Sequence, residues 1–194
     1  FTLTMEIKKL ILPSTNILVL ENHGLIVAGD DIEDTYKLLL KIHEKLDLIR
    51  NEKLGLDFLE KITNIGGYIH KNTDKYKLFS TQNEKLFSLF SKSFYPDHVI
   101  FLGPGIPTFS EVKEANEFIQ NLKRKNINLP PYLILKNKGL FENTLAIPAA
   151  KEMIDCFLEV LLRIDLSKSL KFLSSQQESE LLNWDIEIYR QSIN

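Results

Sequence analysis

Shifted by 115 positions, the chain falls onto itself. Leu18, Leu20, Asn22, Gly24 and Leu25 land on Leu133, Leu135, Asn137, Gly139 and Leu140. The apolar stripe that follows stays in phase, pairing Ile32 with Ile147, Leu39 with Ile154, Ile42 with Phe157, Leu46 with Leu161 and Ile49 with Ile164. Tyr36 against Lys151 is the break. A turn and a helix of about five turns in common register point to a duplicated strand–turn–strand–helix unit. The competing explanation is coincidence, since small units of this kind recur by physics alone. In the second copy a strand and a helix precede the repeat, and their counterparts in the first would fall before Phe1 and across the start. The chain is therefore expected to begin inside a structural unit, an initial Phe agreeing with a fragment or processed product and Met5 offering an internal start.

Two short apolar runs, Ile17–Leu20 and Leu25–Ala28, flank the polar break Glu21-Asn22-His23-Gly24. They predict buried strands joined by a tight turn, with glycine supplying a positive φ. Gly29-Asp30-Asp31 closes the second run and offers an aspartate cap to an amphipathic helix running to Arg50. Beyond it, a short helix is expected near Leu56–Ile62, then a connection through Gly66-Gly67 and Asn72-Thr73-Asp74, then a helix from Gln82 to Lys92. His98–Leu102 reads as a buried strand stopped by Gly103-Pro104-Gly105, and Glu111–Lys123 as a helix capped by Ser110. Tyr132–Leu135 and Leu140-Phe141 enclose a second turn, a long helix runs from about Pro148 to Ile164, and the tail from Ser174 to about Gln191 is helical. Strands interleaved with helices predict an α/β layered fold.

The composition narrows what such a fold could do. With 194 residues and 44% hydrophobic content there is material for a real core. Twenty-four Lys+Arg against 26 Asp+Glu leave a formal charge of -2, without the basic excess of a nucleic-acid or anionic-membrane surface. No apolar run approaches the roughly 20 residues that span a bilayer, and no secretory h-region is read at the start. A single cysteine, Cys156, precludes an internal disulfide framework and fits a reducing compartment. A soluble cytoplasmic protein is expected.

His23, His43, His70 and His98 are widely spaced, with no His-x-His, His-Glu-x-x-His or Cys-x-x-Cys, so no complete zinc site is written locally. His23, at a strand-to-strand turn, can reach a metal without desolvating a charge. The plain alternative is a turn histidine with a solvent or backbone partner. Lys138 occupies the corresponding turn of the second copy and offers an ammonium to a phosphate or carboxylate, or simply to solvent. Gly103-Pro104-Gly105 reads as a strand terminator more readily than as a phosphate cradle, and as a cradle it would make the chain a small-molecule binder. Asp97-His98 in an extended segment would point to opposite faces. His43 borders the apolar stripe of its helix, and His70 sits in the connecting segment. Cys156 is expected to be an inert core thiol, and Trp184 and Tyr189 to dock the tail helix onto the body or onto another subunit.

The segment from Ile17 to Thr35, with Asn22-His23-Gly24, the strand after it and the acidic-capped helix, resembles the C-terminal portion of the class II aldolase/adducin domain. The resemblance covers roughly residues 1 to 50. It implies a layered α/β/α sandwich of the class II aldolase type, incomplete at its N-terminal side. It also implies a divalent metal, usually zinc, held by three histidines, of which His23 matches the third. The other two would come from an upstream His-x-His, and the catalytic glutamate and phosphate-binding loops would also lie upstream. Asn22 and Gly24 would shape the turn.

The domain organisation expected on this basis is 1–53 as the C-terminal part of an aldolase/adducin-like domain, 54–94 as a helical connecting segment, and 95–194 as a second α/β unit with a helical tail. Tyr95-Pro96-Asp97-His98-Val99 and Leu181-Leu182-Asn183-Trp184-Asp185 resemble bacterial members with a C-terminal extension. The function implied is that of a fragment of a metal-dependent carbon–carbon lyase acting on a sugar phosphate or related carbonyl compound, inactive alone. A dehydratase or epimerase fits the same scaffold. In this chemistry the ion polarises a carbonyl and stabilises an enediolate while a carboxylate moves protons. The resemblance also implies homo-oligomers. The alternative from another class is a non-catalytic adducin-like binding or assembly module.

Overall fold

β1 (Ile17–Leu20) and β2 (Gly24–Val27) pair antiparallel, with Ile17 opposite Val27 and Leu20 opposite Gly24. In this computed structural model, residues 2–21, 23–46, 64–186 and 189 are described. The chain divides into two units, Phe1–Ile49 and Arg50–Asn194.

In the first unit, α1 (Thr2–Leu10) precedes the hairpin and α2 (Ile32–Leu46) follows it. The turn is closed by the His23 amide donating to the Leu20 carbonyl at 3.1 Å. The expected aspartate cap forms, the Asp34 amide donating to Asp31 Oδ1 at 2.8 Å. Ile42 is the buried residue of α2.

The second unit holds a five-stranded sheet of order β3-β4-β7-β6-β5. Its strands are β3 (Asn64–Ile65), β4 (Tyr68–His70), β5 (Thr108–Phe109), β6 (Tyr132–Leu135) and β7 (Gly139–Asn143). β5 runs parallel to β6, as a crossover through α5 (Val112–Arg124) requires, and the other pairs are antiparallel. Alternation along β6 and β7 sends side chains to opposite faces. Leu133, Leu135 and Phe141 pack with Ala115 and Ile119 of α5. Tyr132, Ile134 and Leu140 join the larger core with Ile154, Phe157 and Leu161 of α6 (Pro148–Arg163). Helices therefore cover both faces of this sheet. That larger core also includes residues of the 3₁₀ helix Asp74–Ser80, of α3 (Glu84–Leu89) and of α4 (Pro96–Leu102).

The repeat is geometric as well as compositional. Moved by 115 positions, every Cα pair of the β1–β2 ladder becomes a pair of the β6–β7 ladder, from Ile17↔Val27 on Tyr132↔Glu142 to Leu20↔Gly24 on Leu135↔Gly139. Both hydrogen bonds flanking the hairpin also carry over. His23 to Leu20 at 3.1 Å matches Lys138 to Leu135 at 3.0 Å, and Ala28 to Asn16 at 2.9 Å matches Asn143 to Pro131 at 2.8 Å. Gly24 (φ 111°) and Gly139 (φ 101°) share a left-handed backbone.

Five expectations are corrected. β1 and β2 are not buried, with Ile17, Val19 and Ile26 exposed, because nothing among the described residues packs over their faces as the second unit's core does. α5 is capped by Glu111 in a capping box with Glu114, not by Ser110. His98–Leu102 is the body of α4, not a strand. Pro96 sits at the helix start, where its missing N–H costs nothing, and a run buried on every side carries no period that separates strand from helix. Cys156 is exposed, because Ile154, Phe157, Leu158 and Leu161 define the inward face of α6 and position 156 lies off it. Trp184 and Tyr189 are exposed, so neither is buried against the body. α7 (Ser175–Leu182) instead half-buries Leu181 and Leu182. Within the expected connecting segment 54–94, residues 64–70 form a hairpin of the sheet and 74–80 and 84–89 are helical, while the expected helix at 56–62 lies outside the described residues. No helix among the described residues is long and apolar enough to cross a membrane.

Candidate functional site

His23 stands in the β1–β2 turn and is exposed. Its Nδ1 lies 2.8 Å from the Glu21 carbonyl oxygen. A carbonyl only accepts, so Nδ1 carries the proton and donates, which leaves the lone pair on Nε2. This is the tautomer of a histidine ready to ligate a metal through Nε2, its other nitrogen being fixed by a backbone carbonyl. It equally satisfies the plain reading of a turn histidine with a backbone partner. Gly24 follows with φ 111°, and a Cβ there would meet nothing within 4 Å. The glycine is needed for backbone conformation rather than for space. Asn22 lies outside the described residues.

Among the described residues, no group of three or more His, Cys, Asp or Glu side chains comes together to hold a metal. The other histidines are dispersed. His43 is exposed on α2, and His70 stacks on Phe141 at 4.7 Å between ring centroids. His98 is fully buried, with the Phe157 ring edge-on at 4.6 Å, and neither ring nitrogen has a hydrogen-bond partner. Burial lowers its pKa to about 4 and keeps it neutral. It is a core residue, and the Asp97-His98 pair is no acid–base couple.

Gly103-Pro104-Gly105 also resolves structurally. Gly103 caps α4 with φ 93°. A Cβ on Gly105 would lie 2.4 Å from the Ser91 carbonyl oxygen, and the Ile106 amide donates to Phe90 at 2.9 Å. On that side the turn packs closely against the Ser91 backbone.

An ionic cluster escaped the sequence reading. Lys71 and Lys151 reach the Glu142 carboxylate at 2.9 and 3.4 Å, and Tyr132 donates to it at 3.4 Å. Lys75 and the Tyr76 hydroxyl meet Asp155 at 2.6 and 2.7 Å. Burial pushes the Glu142 carboxyl up, but the two ammonium groups outweigh it and hold its pKa below the ordinary value. Burial and the Asp155 carboxylate raise that of Tyr76. The cluster ties β7, α6, the 3₁₀ helix and the residue after β4 together, three ammonium groups around two carboxylates. Its sequence signal was the break in the repeat, Lys151 standing where the first copy has Tyr36.

In the first unit an open, largely apolar groove of about 640 Å³ runs between β2 and α2, lined among others by Leu25, Val27, Ile32, Tyr36 and Leu39. Comparison of the chain with protein-family models, with curated proteins and with solved structures finds no match.

Proposed function

We propose that these residues form part of a class II aldolase-like, metal-dependent carbon–carbon lyase acting on a phosphorylated sugar or related carbonyl compound. His23 would be one ligand of a divalent ion, zinc by the resemblance. The observation that carries this reading is the His23 ring itself, exposed in an Asn-His-Gly turn with Nδ1–H committed to Glu21 and Nε2 left as the ligating nitrogen. A catalytic zinc takes three protein ligands, and the described residues fit one position of such a set. The remaining ligands and the proton-moving carboxylate are assigned to polypeptide outside these 194 residues, with self-association completing the assembly. The single cysteine supports a reducing, cytoplasmic setting.

Zn²⁺ titration followed by imidazole ¹⁵N NMR tests the assignment on this chain. The expected result is a shift at His23 Nε2 with Nδ1 still protonated, and no comparable shift at His43. A response at Nδ1, or equal responses at both histidines, would overturn it. In a protein extended upstream, His23→Ala should remove most of the bound metal.

The open apolar groove favours a second reading, an adducin-like assembly module without catalysis. An extended protein that binds no divalent ion yet associates through its first unit would establish that reading instead.

A further inference from the structure

The duplication shows what the groove of the first unit is shaped to hold, because the second unit contains the same groove filled. Leu25, Thr35 and Leu39 of the open groove correspond to Leu140, Ala150 and Ile154, all buried in the main core of the second unit. Beside residues of α3 and α4, the stretch Tyr68–Ser80 contributes to that filling along the β7 edge. β4 adds antiparallel to β7, with Tyr68 opposite Asn143 and His70 opposite Phe141, and the Lys71 amide donates to Leu140 at 2.9 Å. The 3₁₀ helix then places Tyr76, Leu78 and Phe79 in the same core as Leu140, Ala150 and Ile154. In the first unit the matching edge of β2, at Leu25 to Ala28, has no strand beside it among the described residues. On the groove face, Leu39 is 41% exposed, whereas its counterpart Ile154 is buried in the core.

The chemistry of the two grooves differs at three points. Where the second unit has Glu142, Lys151 and Asp155, the first has Val27, Tyr36 and Leu40. The segment Tyr68–Ser80 carries Lys71 and Lys75, whose carboxylate partners are Glu142 and Asp155. Set against Val27 and Leu40, those ammonium groups would lose water and gain no counter-charge. The lysine-bearing segment of a second copy is therefore a poor occupant. The one carboxylate lining the open groove, Asp31, is engaged in capping α2.

We infer that the β2–α2 groove is a docking site for an uncharged, aromatic-bearing polypeptide segment of a partner protein, which adds as an antiparallel strand along β2 and seats its rings over Leu25 and Leu39. Main-chain pairing along the edge supplies affinity and the groove supplies side-chain selection. The inference is independent of whether His23 binds metal.

Two synthetic peptides of residues 67–81 test it on the full chain, one with the native sequence and one carrying Lys71→Leu and Lys75→Leu. The neutral peptide should bind saturably below about 1 mM, at least about tenfold tighter than the native one, a margin of about 1.4 kcal/mol. It should slow hydrogen exchange of the β2 amides and lose its binding to the Ile32→Asp chain. Ile32 is 89% exposed, so this variant leaves the fold intact. Val27→Glu with Leu40→Asp should reverse the preference between the peptides. Absence of saturable binding by either peptide, equal binding of the two, or binding that Ile32→Asp leaves unchanged would overturn the inference. A dimer of the chain abolished by Ile32→Asp would also overturn it, making a second copy the occupant.

Discussion

The two hairpin–helix units agree pair for pair in strand register and turn hydrogen bonds, and disagree almost everywhere in burial. Val19 is 74% exposed and its counterpart Ile134 fully buried, Ile26 is 45% exposed against a covered Phe141, and Leu39 is 41% exposed against 1% for Ile154. Two short apolar strands, a turn glycine and a capped amphipathic helix suffice to specify local geometry. Whether the resulting faces become a core depends on what is laid over them. In the second unit β4, the 3₁₀ helix, α4 and α5 do this, and among the described residues of the first unit their places along the hairpin are open. Identical geometry therefore carries unequal energy.

The largest expected effect tests that inequality directly. Ile154→Ala should cost about 2–5 kcal/mol, because it leaves a cavity in a closed core. Leu39→Ala, at the matching helix position, should cost less than about 1 kcal/mol, since much of that side chain is already in water. Hydrogen exchange resolved on β6–β7 and on β1–β2 amides separates the two units. Equal losses would mean that the face of the first unit is covered in solution, and the contrast would fail.

Acid should divide the units next. His98 is buried without a hydrogen-bond partner in the second unit, whereas His23 and His43 of the first are exposed. Its folded pKa of about 4 lies below the ordinary histidine value of 6.5. The unfolded chain therefore takes up the proton first as pH falls, so the stability conferred by the neutral ring is present above 6.5 and is lost on descending towards 4. By linkage the second unit should lose about 2 kcal/mol between pH 7 and pH 5. His98→Leu should abolish that part of the loss, and urea unfolding at the two pH values measures it. An unchanged slope in the variant would assign the acid sensitivity to the carboxylates instead.

Local features of the fold were readable where they were written in neighbouring residues. The β1–β2 and β6–β7 hairpins, the Asp31 cap, α5 and α6 follow from apolar runs, turn residues and helical periodicity. What escaped depends on partners distant in the chain. β3 and β5 are two residues each, too short for any period, and exist because β4 and β6 pair with them. The α4 segment reads as a strand because Val99, Ile100, Phe101 and Leu102 are all buried, which erases the periodicity that tells helix from strand. The neighbours of Cys156 in sequence suggest burial, while its angular position on α6 puts it off the inward face. At the candidate site, the exposed turn position of His23 was foreseeable. Its proton on Nδ1 follows from a contact with Glu21 that no spacing rule encodes. The Lys71–Glu142–Lys151 cluster joins β7 and α6 to the residue after β4, and only the tyrosine-to-lysine break in the repeat hints at it.

The smallest expected effect sharpens the comparison from the other side, because here the units should behave alike. Gly24 and Gly139 hold φ near 111° and 101° at the same turn position, and an L side chain there is strained whatever surrounds it. Gly24→Ala and Gly139→Ala should therefore each cost about 1–2 kcal/mol, measured by the same amide exchange, although one lies in an open hairpin and the other in a core. At Gly24 the added methyl meets nothing within 4 Å, so strain is the whole of its cost. Any excess at Gly139 would measure packing around the second turn alone. Gly24→Ala should also weaken the His23 Nδ1–H contact to Glu21, because both residues belong to the turn whose backbone it distorts. If the ¹⁵N signature of that proton is unaltered while stability falls by the expected amount, the imidazole is held independently of the turn geometry, and its likeness in position to Lys138 no longer bears on what His23 binds.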